Sequence, residues 1–209
     1  MLETDLIPAQ EVASRRLMIV LHGLGDSMEG FRWLPGELGL PWLNYLLVNA
    51  PDDYFGGYSW YDLYEQPEPG IVRSRALLTE LLRDLPRRGF RVGDTVMFGF
   101  SQGCLMTLEM GARHPERFAA CVGISGYAHA PETLLRELSP VAREQRFLLT
   151  HGTRDPLLPI AMVRRQVETL RRGGLNIEWH EFEKEHTIAG EAELAVVRNF
   201  IERAYTHPG

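Results

Sequence analysis

The sequence is short of lysine, of cysteine and of long apolar runs, and each shortage excludes something. Of its 22 basic residues only Lys184 is a lysine, and 28 acidic residues bring the formal net charge to −6. A general nucleic-acid binder carries a basic balance or a basic stripe. Here the arginine pairs at 15–16, 87–88, 164–165 and 171–172 are scattered. Most sit near predicted helix ends, where the helix dipole favours cations. No nucleic-acid partner is expected, and the scarcity of lysine reads as codon bias of a GC-rich genome. Two cysteines, Cys104 and Cys121, form no C-x-x-C pair and lie in apolar stretches. That excludes a disulfide framework and suggests buried free thiols in a reduced cytoplasm. Uninterrupted apolar runs such as 17–21 fall far short of the roughly 20 residues that span a bilayer. The first fifteen residues hold Glu3, Asp5 and Glu11 against Arg15 alone, the opposite of a secretory leader. A cytoplasmic protein with no integral membrane segment is therefore expected. There is no repeat, low-complexity tract or linker, and 209 residues is an ordinary length for one domain, here 1–209.

What is present is an alternation of short apolar runs with longer stretches of helical spacing. Strands are predicted over 16–22, 45–50, 95–100, 118–125, 146–151 and 176–182. Helices are predicted over 31–38, 71–85, 102–113, 131–138, 160–172 and 188–205, and the segment 52–69, rich in aromatics and turn formers, reads as a loop. Buried-looking strands alternating with helices argue for a mostly parallel central sheet with helices on both faces. Catalytic residues then belong in the loops at the carboxyl ends of the strands.

One such loop carries G-F-S-Q-G at 99–103. It follows an apolar strand directly and opens a helix directly, the context of a nucleophile elbow, in which the serine stands above the sheet and small residues are needed two places before and after it. Serine is a weak nucleophile until an adjacent base takes its proton and a carboxylate orients that base. In this kind of fold the chain order is Ser, acid, His. Asp155 is the one aspartate after Ser101, against the plainer reading of a turn residue before Pro156. Three histidines follow it. His180 lies within a predicted strand, His207 in the tail, and His186 in the loop between the sixth strand and the last helix, where a base belongs. His151, at a strand end, reads as structural. Developing negative charge on the carbonyl oxygen needs donors: the backbone N–H of Gln102, at the helix start, and that of Leu24 in the glycine-rich loop H-G-L-G-D at 22–26.

LHGLGD at 21–26, GFSQGC at 99–104, ISGY at 124–127, HGTRDPLLP at 151–159 and HTI at 186–188 occur in order. With these motifs the chain resembles the phospholipase/carboxylesterase family of α/β-hydrolases, which includes the acyl-protein thioesterases and small bacterial carboxylesterases. The resemblance covers nearly the whole chain. It implies the α/β-hydrolase fold, Ser101 as nucleophile, Asp155 and His186 as its triad partners, Leu24 and Gln102 as oxyanion donors, and no metal or organic cofactor. Trp60-Tyr61-Asp62 resembles a segment near the family's acyl site. Two positions depart from the pattern: Cys104 stands where the family has glycine, which tightens packing under the helix, and Glu185 stands where it has glycine before the histidine, within an acidic run that bears on the imidazole.

Segment 54–64 gathers six of the chain's 20 aromatics. They read either as packing or as an apolar wall for an acyl or aryl group. Trp60, Tyr61 and Leu63 are expected to form that wall, with Leu157, Leu158 and Ile188 adding to it. No cationic cluster is evident for a phosphate or coenzyme A head group, so a small-molecule acyl ester or thioester is expected. The leading expectation is a carboxylesterase or acyl thioesterase working through an acyl-enzyme. Other uses of the same triad (lysophospholipase, dienelactone-type hydrolase, peptidase) and a non-catalytic ligand-binding protein are the alternatives.

Overall fold

The computed structural model describes residues 1–206; His207 lies outside them. Seven strands form one sheet: β1 (Thr4–Ile7), β2 (Arg16–Leu21), β3 (Leu43–Val48), β6 (Thr95–Phe100), β7 (Ala120–Ile124), β8 (Arg146–Gly152) and β9 (Asn176–Phe182), in the order β1-β3-β2-β6-β7-β8-β9. Every pairing is parallel except β1 with β3, which is antiparallel from Thr4 opposite Val48 to Ile7 opposite Tyr45. A separate hairpin joins β4 (Asp52–Tyr54) to β5 (Gly57–Ser59). The helices are α1 (Leu34–Leu38), α2 (Pro67–Asp84), α3 (Gln102–Arg113), α4 (Pro131–Arg136), α5 (Ile160–Arg172) and α6 (Glu191–Thr206).

The continuous apolar runs that predict strands are here buried on both sides, and side-chain alternation sorts them. Leu17, Ile19, Leu21, Met97 and Phe147 point to one face, against Leu78 of α2, Leu105 and Leu108 of α3 and Val163 and Val167 of α5. Met18, Val20, Val96, Phe98 and Leu148 point to the other, against Leu34 and Leu38 of α1 and Leu194, Val197 and Ile201 of α6. Helices thus cover both faces, as the strand–helix alternation predicts. No helix among the described residues is long and apolar enough to cross a membrane.

The differences from the sequence reading are local. β1 escapes a periodicity argument because it is a four-residue edge strand with little apolar content. The hairpin lies inside the segment read as loop; its turn puts Phe55 at φ 46° and Gly56 at φ 91°, the two consecutive left-handed residues that match the twist of a tight hairpin. The predicted helix 31–38 divides into a 3-10 turn, Met28–Phe31, and α1, because Pro35 has no N–H and fits only a first helical turn. α2 begins four residues early, at Pro67, and α6 begins three late, at Glu191, which leaves 183–190 as a loop beyond the carboxyl end of β9.

Candidate active site

Ser101 sits between β6 and α3 with φ 53° and ψ −113°, a conformation that costs a non-glycine residue about 1–3 kcal/mol and persists only where the surroundings enforce it. They do so here by close approach. A Cβ on Gly99 would fall 2.0 Å from the Gly103 carbonyl oxygen, and one on Gly103 would fall 2.1 Å from that of Leu21. The turn is anchored by the Ser101 N–H donating to Ile124 O at 2.9 Å, which extends the ladder between β6 and β7 by one residue.

Three side chains from three loops converge at this elbow. His186 Nδ1–H donates to Asp155 Oδ2 at 2.7 Å, and the Ser101 hydroxyl donates to His186 Nε2 at 2.9 Å. The tautomer follows from the partners, since a carboxylate only accepts. The second carboxylate oxygen, Asp155 Oδ1, accepts the N–H groups of Leu157 and Leu158, both at 2.9 Å. Burial pushes the Asp155 carboxyl up, but the Leu158 amide, His186 and the Leu157 amide together outweigh it and hold the group below its ordinary range. His151 is buried and its Nε2–H donates to Leu158 O at 2.8 Å. It supports the Asp155 turn from behind, the structural part expected of it; burial pushes its pKa down. His180 bonds Glu178 on β9, away from the elbow.

The loop after β2 abuts the elbow: a Cβ on Gly23 would lie 3.2 Å from Ser101 Cβ. Among the described residues, the N–H groups of Leu24 and Gln102 have no acceptor in the protein, whereas those of Gly25 and Asp26 are taken up by Tyr58 O and Gly23 O. Gln102 also begins α3, where the helix dipole concentrates positive charge. Ser101 Oγ, His186 Nε2 and two unengaged amides around one strained turn are the kinds of group that acyl transfer requires.

The expected acyl wall is corrected in part. Trp60 and Tyr61 are fully buried and line no open face. Trp60 instead ties the loops together. Its indole N–H donates to His22 O at 2.9 Å, and its backbone N–H donates to Gln102 Oε1 at 2.9 Å. Gln102 Nε2 in turn donates to Tyr61 O, and the Ser74 hydroxyl to Trp60 O. Tyr61 and Tyr127 share a hydroxyl contact of 3.1 Å. Leu63 and Leu157 are exposed, and Leu158 packs on the core beneath α5. Of the six residues, Ile188 lines the groove of about 540 Å³ that opens beside His186. Cys104 is buried under Ser101 beside Gly123 and Gly126, which leave it room; burial pushes its thiol up to about 12, so it is no rival nucleophile at neutral pH.

Sequence reasoning missed a buried cluster that shapes the His186 loop. Lys184 is buried and its Nζ donates to Glu193 Oε1 at 2.6 Å and Oε2 at 2.8 Å. Glu193, in the first turn of α6, also accepts the Thr150 hydroxyl at 2.5 Å and the Ala189 N–H at 2.6 Å. The one signal was the singularity of Lys184 in an arginine-rich chain. Among the described residues there is no cluster of three or more potential metal ligands.

Comparison with known proteins gives a consistent picture. The model of the phospholipase/carboxylesterase family matches residues 2–205. Acyl-protein thioesterase 1 of Schizosaccharomyces pombe is 33% identical over 165 residues, 71% of this chain and 72% of that protein. Its namesake in Yarrowia lipolytica is 28% identical over 215 residues, 94% of each. Among solved structures, esterase PE8 superposes with a TM-score of 0.85 at 29% identity, covering 97% of this chain and 99% of that one.

Proposed function

The chain belongs to the phospholipase/carboxylesterase family of α/β-hydrolases and is an esterase or thioesterase of the serine-hydrolase type; we propose that Ser101, His186 and Asp155 carry the reaction. The observation that supports this most directly is the unbroken relay from Ser101 Oγ through His186 to Asp155 on a strained elbow. His186 Nε2 takes the hydroxyl proton as Ser101 Oγ bonds the substrate carbonyl carbon. The carbonyl π electrons move onto oxygen, where the N–H groups of Leu24 and Gln102 receive the charge. As the carbon–oxygen or carbon–sulfur bond to the leaving group breaks, His186 returns the proton to the departing atom, leaving acyl-Ser101. Water then attacks with His186 again as base, and the carboxylic acid departs. Asp155 remains ionised and holds the imidazole in the tautomer this requires.

The substrate is a small-molecule ester or thioester. Ser101→Ala is expected to lower turnover of p-nitrophenyl and thioester substrates by about 10⁴- to 10⁶-fold, and to abolish labelling by a fluorophosphonate probe. Residual turnover comparable to wild type would refute the assignment.

A further inference from the structure

The groove beside His186 runs between two segments of the chain. The loop of His186 itself, through Thr187 and Ile188, makes one wall, and the segment after β2 makes the other through Asp26, Trp33 and Glu37. Phe100, one residue before Ser101, closes it, with its ring centroid 5.2 Å from that of His186. Trp33 is half-exposed, and its indole N–H is tied to Gly30 O at 2.7 Å, which fixes it as a wall. Among the described residues neither lysine nor arginine lines the groove, while two carboxylates do, beside His186. The arginines of the neighbouring segments are engaged: Arg32 with Asp5 and Glu29, and Arg198, beside the Glu37 backbone, with Glu191 and the carbonyls of Glu37 and Leu38.

We propose that this groove receives the leaving group of the substrate, the alcohol or thiol part, and that Asp26 and Glu37 make it favour neutral or cationic leaving groups over anionic ones. The inference rests on the catalytic roles given above. His186 must place its Nε2 proton on the departing atom, so that atom lies within hydrogen-bond reach of Nε2. Whatever is attached to it extends along the wall that the His186 loop supplies. The acyl group leaves the same carbon in another direction. An apolar floor with two carboxylates at its sides accommodates an alkyl or ammonium-bearing group. A phosphate, sulfonate or carboxylate there meets the like charge of Asp26 and Glu37. For a unit charge several ångströms from each carboxylate in a partly solvated groove, the discrimination is about three- to tenfold at low ionic strength and shrinks as salt is added.

The two parts of a substrate separate kinetically, because the leaving group is gone before the acyl-enzyme breaks down. Three S-hexanoyl thioesters sharing one acyl group test the idea: those of thiocholine, 3,3-dimethylbutanethiol and 2-mercaptoethanesulfonate, which are cationic, neutral and anionic in the leaving thiol. All form the same hexanoyl-Ser101. Wild type is expected to show kcat/KM highest for the cationic and neutral esters and lowest for the anionic one. Glu37→Gln is expected to narrow that ratio about threefold, and Glu37→Arg to narrow it further or invert it. Trp33→Ala is expected to lower kcat/KM for the two bulky thiols while the rapid-mixing rate of hexanoyl-enzyme breakdown stays at the wild-type value. A charge ratio unmoved by both Glu37 substitutions overturns the proposal, as does a Trp33→Ala enzyme whose breakdown rate changes as much as its acylation rate, which would put the acyl chain in the groove. Ser101→Ala run alongside separates the two readings. If it retains turnover, the hydrolase assignment itself fails; if it is inactive and the ratio is flat, the groove inference alone fails.

Discussion

Replacing Lys184 with methionine removes the cation that faces Glu193 inside the protein and leaves the carboxylate, fully buried, with only the Thr150 hydroxyl and the Ala189 amide to stabilise it. Breaking a buried pair from one side costs about 3–5 kcal/mol, because an uncompensated charge remains. Against a typical total of about 5–15 kcal/mol this is a large fraction, and at about 2–4 °C per kcal/mol it lowers Tm by about 6–20 °C. Glu193→Gln breaks the pair from the other side, but Lys184 has a cheaper escape. Burial already pushes its pKa down, opposed by Glu193, so without the carboxylate it sheds its proton. The pair replaced together, Lys184→Met with Glu193→Gln, carries no buried charge, and the glutamine carbonyl still accepts from Ala189 or Thr150. It is expected to lie within about 1–2 kcal/mol of wild type, giving a coupling energy of at least about 2 kcal/mol.

The pH dependence gives a second, independent reading with opposite signs. In Lys184→Met the buried carboxylate is relieved by binding a proton, so at this site the folded state binds more protons than the unfolded one, and the site's contribution to stability, read against wild type at each pH, rises as pH falls from neutral. In Glu193→Gln the buried amine is relieved by losing one, so the folded state binds fewer protons and stability rises with pH toward the ordinary lysine value near 10.4. In the double variant this site contributes neither slope. Urea melts followed by far-UV circular dichroism across pH 5–10, for wild type and three variants, check both statements. Additive single losses, a Lys184→Met cost below about 1 kcal/mol, or parallel pH slopes in the two single variants would refute the argument that this pair is a buried, mutually dependent unit.

Other expectations follow from the same geometry. Asp155→Asn cannot accept the His186 Nδ1 proton as an ion, so kcat is expected to fall by about 10⁴-fold, as for the same change in a serine-protease triad; a loss under tenfold in steady-state kinetics would contradict the orienting role. Gly103→Ala places a Cβ 2.1 Å from Leu21 O and is expected to fail to give folded protein by circular dichroism. Gly36→Ala in α1 meets nothing within 4 Å and should be neutral or stabilising by about 0.4–1 kcal/mol. Burial pushes both His22 and His151 down. A base with a lowered folded pKa binds fewer protons than in the unfolded chain, so stability drops as pH falls below the ordinary value near 6.5, with a limiting slope of about 2.7 kcal/mol per pH unit for the two; melts between pH 7 and 5 that show no slope would exclude it. At His22 burial outweighs the Gly23 carbonyl, which accepts from Nδ1–H at 2.6 Å, and the Asp26 charge, both of which favour the protonated ring.

What could be read from residues alone was whatever local spacing dictates. β6 and α3 were bounded correctly because an apolar run, a glycine-flanked serine and a helical repeat meet without a gap. Chain order and the carboxyl-end rule left few places for a partner acid and base, and the structure brings the two side chains so chosen, Asp155 and His186, into hydrogen-bond contact with each other and with Ser101. The misreadings at the site concern distance in sequence. Trp60 and Tyr61 were placed in an acyl wall because aromatic content does not say which way a ring faces. Their orientation is decided by Gln102 and His22, some 40 residues away on other loops. The Lys184–Glu193 pair was invisible for a related reason: a lysine in an acidic run reads as a solvated face, and only the packing of α6 against β8 takes the pair out of water. Burial also changes what such a residue is for. A surface ion pair contributes roughly 0–1 kcal/mol and could sit anywhere, whereas this one fastens the loop of the catalytic-candidate histidine to Thr150 at the end of β8. The side chains that meet at the elbow were therefore legible from local pattern, and the residues that hold them in place were not, because their effect exists only once distant segments have excluded water together.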